Sequence, residues 1–220
     1  MTRRWNVSGL LLVGLLVLSL GLAACSDEDG DDSVAASDPT AAAPAPGTVF
    51  DPPREMGDFT LTAHTGEPLS LSDLQGQVVV LYFGYTYCPD VCPVSLALLN
   101  AAYNQLTPEV QEQVQVVFVS VDGTRDTPER LGMVIPAFNP DFLGVTGPEE
   151  TVRGIGEPYG VAFYRRFPEN ASPENYLVFH TSQFFVLGQQ GEWRAVYPDD
   201  VSAAYLAEQI TAQVEARTST

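Results

Sequence analysis

The chain has 220 residues, a formal net charge of −18 and no lysine. That charge argues against nucleic acid and anionic membrane surfaces as partners, because both carry dense negative charge. Three cysteines in a chain of this length also exclude a disulfide-rich scaffold. A basic protein surface or a cation is compatible with the composition, and the length suffices for one well-buried domain.

The first segment is apolar and leucine-rich, over residues 9–22, and two arginines precede it. Its length is typical of a signal-peptide core. It ends in "LAAC", and small residues before a cysteine resemble a bacterial lipobox, which implies cleavage before Cys25 and a lipid on that sulfur. We therefore predict a lipoprotein signal peptide at residues 1–24 and an extracytoplasmic, membrane-anchored chain. An uncleaved transmembrane anchor is the alternative, since about 20 apolar residues can span a bilayer.

Residues 25–50 are acidic and then rich in alanine and proline. Such a composition holds too few large apolar side chains to build a core. We predict a disordered tether here, stiffened near "APAPG" by its prolines. The folded domain is then expected at residues 51–220.

The domain begins with alternating apolar and polar residues over 59–74, a pattern that predicts a β-hairpin. Continuous apolar runs at 77–85 and 114–122 predict strands that are buried on both faces. Helical patterns begin at Pro93 and after Thr127, where Thr127 is a suitable N-cap and Pro128 suits the first turn. Later patterns, in chain order, predict a short helix at "EETVRGIGEPYG", strands at "GVAFYRRF", "NYLVFHTSQFFVL" and "GEWRAVYP", and a final amphipathic helix at "VSAAYLAEQITAQVEA".

This order of elements predicts an α/β fold with a central mixed sheet flanked by helices. A strand, a loop with two cysteines, a helix, a strand, a helix, a β-hairpin and a last helix follow one another in the order of a thioredoxin-like domain. The cysteine loop lies at the carboxyl end of a central strand, where open α/β sheets place their ligand sites.

The loop reads "YTYCPDVCP" and contains Cys88 and Cys92. Pro93 places the start of a helix within a residue or two of Cys92, and Pro89 favours an extended Cys88. Both thiols are therefore expected at a helix N-terminus, where the partial positive charge favours thiolate. A disulfide needs sulfurs about 2.05 Å apart, whereas one metal can hold two sulfurs up to roughly 4.6 Å apart. The spacing alone does not decide between a structural staple, a redox pair and half of a metal site.

A metal would need a third ligand, and the chain has two histidines. His64 falls in the predicted hairpin turn, where a solvent-exposed residue is expected. His180 follows the apolar "YLVF". A buried, hydrogen-bonded histidine and a metal ligand are both compatible with that position.

Three strings together resemble the Sco (SenC) family: "YFGYTYCPDVCP", "VSVDGTRDTPERL" and "FHTSQFFVLGQQGEW". The resemblance implies a thioredoxin-like fold, copper binding and a role in building the copper centre of cytochrome c oxidase. It implies copper ligation by Cys88, Cys92 and His180. The implied partners are the copper-bearing oxidase subunit or another copper-delivery protein.

The sequence departs from the family pattern at two places. Phe179 stands where the family commonly has aspartate before the histidine, and Gly123 and Thr124 replace a common proline and acid. Asp122 and Asp126 are expected either to support the site or to be exposed loop acids. The rival functions are a thiol-disulfide oxidoreductase, a peroxidase-like thiol enzyme and a stapled structural domain.

Overall fold

The computed structural model describes residues 47–169, 172 and 174–216. The predicted signal peptide, the lipidation site at Cys25 and most of the predicted tether lie outside these residues. Within them, no helix combines the length and the apolar character that crossing a bilayer requires.

The described chain forms ten strands and five α-helices. The strands are β1 (Thr48–Arg54), β2 (Thr60–Ala63), β3 (Pro68–Ser70), β4 (Val78–Gly84), β5 (Val114–Ser120), β6 (Leu143–Thr146), β7 (Phe163–Arg166), β8 (Leu177–His180), β9 (Gln183–Leu187) and β10 (Trp193–Pro198). The helices are α1 (Val91–Tyr103), α2 (Pro108–Gln111), α3 (Pro128–Phe138), α4 (Glu149–Gly156) and α5 (Ala203–Glu215), and two short 3-10 helices cover Leu71–Leu74 and Glu157–Tyr159.

Eight strands form one mixed sheet in the order β1-β10-β9-β4-β5-β6-β2-β3. The centre is parallel from β4 through β5 to β6, and the other neighbours pair antiparallel. Every residue of β4 is buried, as its continuous apolar run predicts. The predicted α/β class, mixed sheet and N-terminal hairpin are confirmed, the hairpin being β2 with β3.

β7 and β8 pair only with each other, in a separate two-stranded sheet. The sequence pattern predicts strands at both places but does not predict that they leave the main sheet. β8 ends at His180, and after a break of two residues the chain enters the main sheet as β9. This break divides the apolar run "NYLVFHTSQFFVL" between two sheets.

One predicted boundary is wrong, and one strand is absent from the sequence-based prediction. The tether was expected to reach residue 50, but β1 begins at Thr48 and pairs with β10 at the edge of the sheet. An edge strand can contain Pro52 and Pro53 because one side of it needs no N–H donors. β6 was not predicted at all, because a four-residue strand with a glycine in it gives almost no periodic signal.

The starts of the helices agree more closely with expectation. Thr127 caps α3, since its hydroxyl oxygen accepts a hydrogen bond from the Arg130 N–H at 3.3 Å. α1 begins at Val91, two residues before Pro93, so that Cys92 lies in the first turn of the helix. The cysteine loop therefore joins the end of the central strand β4 directly to the N-terminus of α1.

Candidate metal centre

The two cysteines occupy different environments in the loop between β4 and α1. Cys92 is 2% exposed and faces the core, whereas Cys88 is half-buried. The Cys88 N–H donates to the Tyr85 carbonyl at 3.2 Å, which closes a turn directly after the strand. Both thiols are free, so the structure represents the reduced pair.

His180 completes a group of three ligand atoms. Its Nε2 lies 3.3 Å from the Cys92 Sγ. The sulfurs of Cys88 and Cys92 and the imidazole nitrogen all lie within 4.8 Å of one another. The structure thus brings together the three residues that the sequence analysis selected, and no other such group of three occurs among the described residues.

The imidazole of His180 is oriented by its second nitrogen. Nδ1 lies 3.1 Å from the Thr181 carbonyl oxygen. Since a carbonyl only accepts, Nδ1 carries the hydrogen, and in the neutral ring the lone pair of Nε2 then faces the cysteines. The rings of Tyr82 and Tyr85 meet the imidazole edge-on and restrict its rotation.

The two thiols differ strongly in acidity. The pKa of Cys88 falls to about 3, chiefly because the Cys92 thiol donates a hydrogen bond to it. The N–H groups of Asp90 and Cys92 at the start of α1 act in the same direction, while burial opposes them. The pKa of Cys92 is raised, because it keeps the shared proton and is buried. The two shifts therefore have opposite signs, which favours the thiolate at Cys88 and the thiol at Cys92.

Gly84, the last residue of β4, is a feature of the site that the sequence analysis missed. A Cβ at this position would lie 2.9 Å from the Cys92 Sγ and 2.9 Å from the Phe118 ring. The absence of a side chain lets α1 bring Cys92 against the strand. A glycine at the end of an otherwise β-branched and aromatic run is the signal that could have revealed this close approach.

Asp126 fixes the cysteine loop. Its buried carboxylate accepts hydrogen bonds from the N–H and the hydroxyl of Thr86, at 2.8 and 2.6 Å, and from the Ser120 hydroxyl at 2.7 Å. Thr86 is two residues before Cys88, and Ser120 ends β5. Burial raises the pKa of Asp126, and these hydrogen bonds oppose that shift.

Asp122 fixes the segment that leads to His180. It accepts hydrogen bonds from the Tyr176 hydroxyl and from Nε of Arg125, each at 2.6 Å. Nη1 of Arg125 also donates to the Tyr176 carbonyl at 2.9 Å, just before β8 begins. Asp122 and Asp126 are both 0% exposed, so the expectation of exposed loop acids is wrong.

His64 does not belong to the site, but its predicted environment is wrong. It is half-buried, and its Nδ1 accepts a hydrogen bond from the Gly144 N–H at 3.0 Å. The His64 N–H in turn donates to the Gly144 carbonyl at 2.7 Å. His64 therefore links the β2–β3 hairpin to β6, a contact that local sequence cannot reveal.

The site opens into a pocket of about 250 Å³. Cys88 and His180 line it, as do Leu177 and Phe179 from β8 and Asp90 from the start of α1. Cys92 lies behind them, so that a ligand entering from solvent meets Cys88 and His180 first.

The fold and the geometry of the site agree with a family match. The SCO1/SenC family profile matches residues 49–215. This chain belongs to the SCO1/SenC family. Among curated relatives, the mouse mitochondrial SCO1 homologue is 32% identical over 159 residues, which is 72% of this chain but 55% of that protein. The chain thus spans just over half the length of that relative.

Solved structures confirm the thioredoxin-like prediction through the Sco fold. Apo Sco1 from Thermus thermophilus is 40% identical with a TM-score of 0.66, and the match covers 78% of this chain and 95% of that one. Yeast Sco1, solved with copper bound, is 28% identical with a TM-score of 0.65, covering 76% and 96% of the two chains.

Proposed function

We propose that this chain carries one copper ion, as cargo, on Cys88, Cys92 and His180 and helps assemble the copper centre of cytochrome c oxidase. The observation that carries the proposal is the group of two sulfurs and one imidazole nitrogen within 4.8 Å. A family relative, yeast Sco1, has been solved with copper bound.

The donor set fits copper. Soft thiolates suit Cu(I), and the imidazole nitrogen adds a ligand of the type that Cu(II) prefers. The lone pair of His180 Nε2 already points toward the sulfurs, since Nδ1 is held by the Thr181 carbonyl. Loading requires reduced cysteines, because a disulfide has no thiolate to offer.

A second candidate function is reduction of a disulfide in a partner protein. It is favoured by the unequal acidity of the two thiols, with a half-buried thiolate at Cys88 and a buried thiol at Cys92. Cys88 would attack the partner's disulfide and release one partner thiolate. Cys92 would then displace the second, passing its proton to the leaving sulfurs and ending in a Cys88–Cys92 disulfide. The two electrons come from the dithiol, and both functions can coexist in one molecule.

The location and the domain boundaries are part of the proposal. Cleavage before Cys25 and lipid on its sulfur would anchor the chain on the outer side of a bacterial membrane, as "LAAC" indicates. The segment between Cys25 and β1 would then act as the tether, and by random-coil scaling it would span about 25 Å. Mass analysis of the mature chain tests this, since retention of residues 1–24 would contradict it.

The decisive experiment for copper is a titration of the reduced full chain in detergent. One Cu(I) per chain is expected, measured against a chromophoric Cu(I) chelator. Cys88→Ser and Cys92→Ser should each abolish tight binding, because one thiolate with imidazole is a poor Cu(I) site. Full stoichiometric binding in either variant would refute the proposed ligand set. Transfer of the bound copper to the apo form of the oxidase copper domain tests the proposed role.

A further inference from the structure

The small sheet that carries His180 has two different faces. Side chains alternate along a strand, so Val178 and His180 of β8 point one way and Leu177 and Phe179 point the other. In the pairing of β7 with β8, Tyr164 lies opposite Phe179, and Arg166 lies opposite Leu177. We call the outer set, Tyr164, Arg166, Leu177 and Phe179, the hairpin face.

The hairpin face is exposed and apolar. Tyr164 and Phe179 are 61% and 41% exposed, and their rings stack at 5.4 Å with an interplanar angle of 7°. Eight large apolar side chains are exposed among the described residues. Six of them lie on the cysteine loop, on the first turn of α1, on the β7–β8 hairpin, or directly after β7. They are Tyr87, Val94, Tyr164, Phe167, Leu177 and Phe179. Single exposed apolar residues are ordinary, but such a concentration marks an interaction surface.

The hairpin face adjoins the copper site directly. Leu177 and Phe179 line the same pocket as Cys88 and His180. The pocket is lined from both faces of β8, because Val178 and His180 line it together with Leu177 and Phe179. A protein seated on the hairpin face could therefore bring its own metal ligands into the pocket.

The charges on this surface differ from those of the chain as a whole. Arg166 makes no ion pair with a described carboxylate, and its guanidinium lies 5.6 Å from the centre of the Phe179 ring. Arg130 also lacks such a pair and lies 4.7 Å from the Tyr87 ring. In a chain of net charge −18, two unneutralised arginines therefore flank the apolar surface, and Asp90 is the acidic residue that lines the pocket.

These charges select the occupant. A second copy would oppose arginine with arginine and one acidic chain with another, and an anionic membrane would repel the chain. We propose that the hairpin face, with Tyr87, docks a copper-exchanging protein that presents an apolar patch flanked by carboxylates beside its own copper ligands. This inference rests on the proposed function, because it names the kind of partner that the copper site serves.

The experiment uses the full chain in detergent and, as probe, the apo copper-bearing domain of the oxidase. The Cu(I) transfer rate is measured against the concentration of that domain. Tyr164→Ser and Arg166→Glu should each raise the half-saturating concentration about tenfold, while the maximal rate and the Cu(I) affinity stay unchanged. Added salt should weaken docking of the parent more than docking of Arg166→Glu, because screening acts on the charge attraction and the variant keeps only that of Arg130.

Two variants serve as matched controls. Met133→Ser removes another exposed apolar side chain, 68% exposed on α3, and Arg54→Glu makes the same charge change on β1. Both should transfer copper as the parent does. The proposal would be overturned if the hairpin variants and the controls had the same half-saturating concentration. It would also be overturned if the Cu(I) transfer rate of the parent never saturated.

A copper-free measurement separates this proposal from the copper function. Titration calorimetry of the apo chain with the apo oxidase domain should show binding that Tyr164→Ser weakens. If the chain binds no copper but still binds the apo oxidase domain, the proposed copper function is refuted and the docking proposal is not. Sedimentation showing self-association weakened by Tyr164→Ser would instead assign the face to a second copy, and flotation with anionic vesicles lost in Arg166→Glu would assign it to the membrane.

Discussion

The Cys92 Sγ lies 3.3 Å from the His180 Nε2, although 88 positions separate the two residues in the chain. Two different sheets produce this contact, since Cys92 follows the central strand β4 and His180 ends β8 of the small sheet. The site therefore depends on the position of the small sheet relative to α1. Asp126 holds the cysteine side and Asp122 holds the histidine side, so the two halves can be perturbed separately.

Replacement of His180 should affect Cu(II) more than Cu(I). Cu(I) tolerates low coordination and is held by the thiolates, whereas Cu(II) prefers a set that includes nitrogen. His180→Ala should therefore weaken Cu(II) binding and change its thiolate-to-copper absorption while Cu(I) is retained. Parallel titrations with each oxidation state measure this.

His64→Ala is the matched control. It should leave both copper states unchanged and lower the free energy of unfolding by about 1 kcal/mol, because the Gly144 N–H loses its acceptor. Loss of the Cu(II) site in His64→Ala, with His180→Ala unaffected, would show that the ligand assignment is wrong.

Gly84→Ala should damage the site without touching a ligand. The new methyl group would meet the Cys92 Sγ and the Phe118 ring at 2.9 Å each. Overpacking of this kind costs roughly 1–3 kcal/mol of stability, and displacement of Cys92 should weaken Cu(I) binding as well. Denaturant unfolding and Cu(I) competition measure the two effects. Gly57→Ala is the control, because a Cβ there has no neighbour within 4 Å; equal behaviour of the two variants would contradict the close approach.

The acidity of the thiol pair predicts an unusual pH dependence. With its pKa at about 3, Cys88 is already thiolate throughout the neutral range. Its rate of alkylation by iodoacetamide should therefore be nearly constant from about pH 5 to pH 8, whereas an ordinary thiol gains roughly tenfold per pH unit there. Peptide mass mapping should find the label on Cys88 and not on the buried Cys92.

The same acidity affects stability. Above the unfolded pKa of about 8.5 the raised pKa of Cys92 destabilises the reduced chain, whereas the lowered pKa of Cys88 makes a stabilising contribution that is complete at that pH. That contribution falls as the pH decreases toward about 3, the folded pKa of Cys88. Cys92→Ala removes the hydrogen-bond donor, so it should make Cys88 alkylation depend on pH. An unchanged flat profile in this variant would show that Cys92 is not the cause.

Asp126→Asn and Asp122→Asn should separate the two halves of the site. Asp126→Asn leaves Thr86 without one of its acceptors, which costs about 1–3 kcal/mol and loosens the cysteine loop. It should change the Cys88–Cys92 reduction potential and the Cu(I) affinity. Asp122→Asn loosens the Tyr176 segment and should mainly weaken the His180-dependent Cu(II) spectrum. If both variants alter both properties equally, the two carboxylates do not act on separate halves.

The sequence by itself determined the features that depend on near neighbours along the chain. The buried strands β4 and β5 followed from continuous apolar runs, and the α3 cap followed from Thr127 and Pro128. The position of the two cysteines at the start of a helix followed from their spacing and from the proline after Cys92. These are local preferences of backbone and side chain, which a short window of residues expresses. The family resemblance then added His180 as the third residue of the set.

The tertiary structure alone decided the features that depend on contacts between distant segments. The bond from the Gly144 N–H to His64, the burial of Asp122 and Asp126, and the close approach of Cys92 to Gly84 each join different elements of the fold. The exposed side of β8 is another example, because an apolar run such as "YLVF" shows no sign of which residues lack a covering layer. Burial and hydrogen-bond partners are set by which elements pack together, and that choice is made by the whole chain rather than by any single stretch of it.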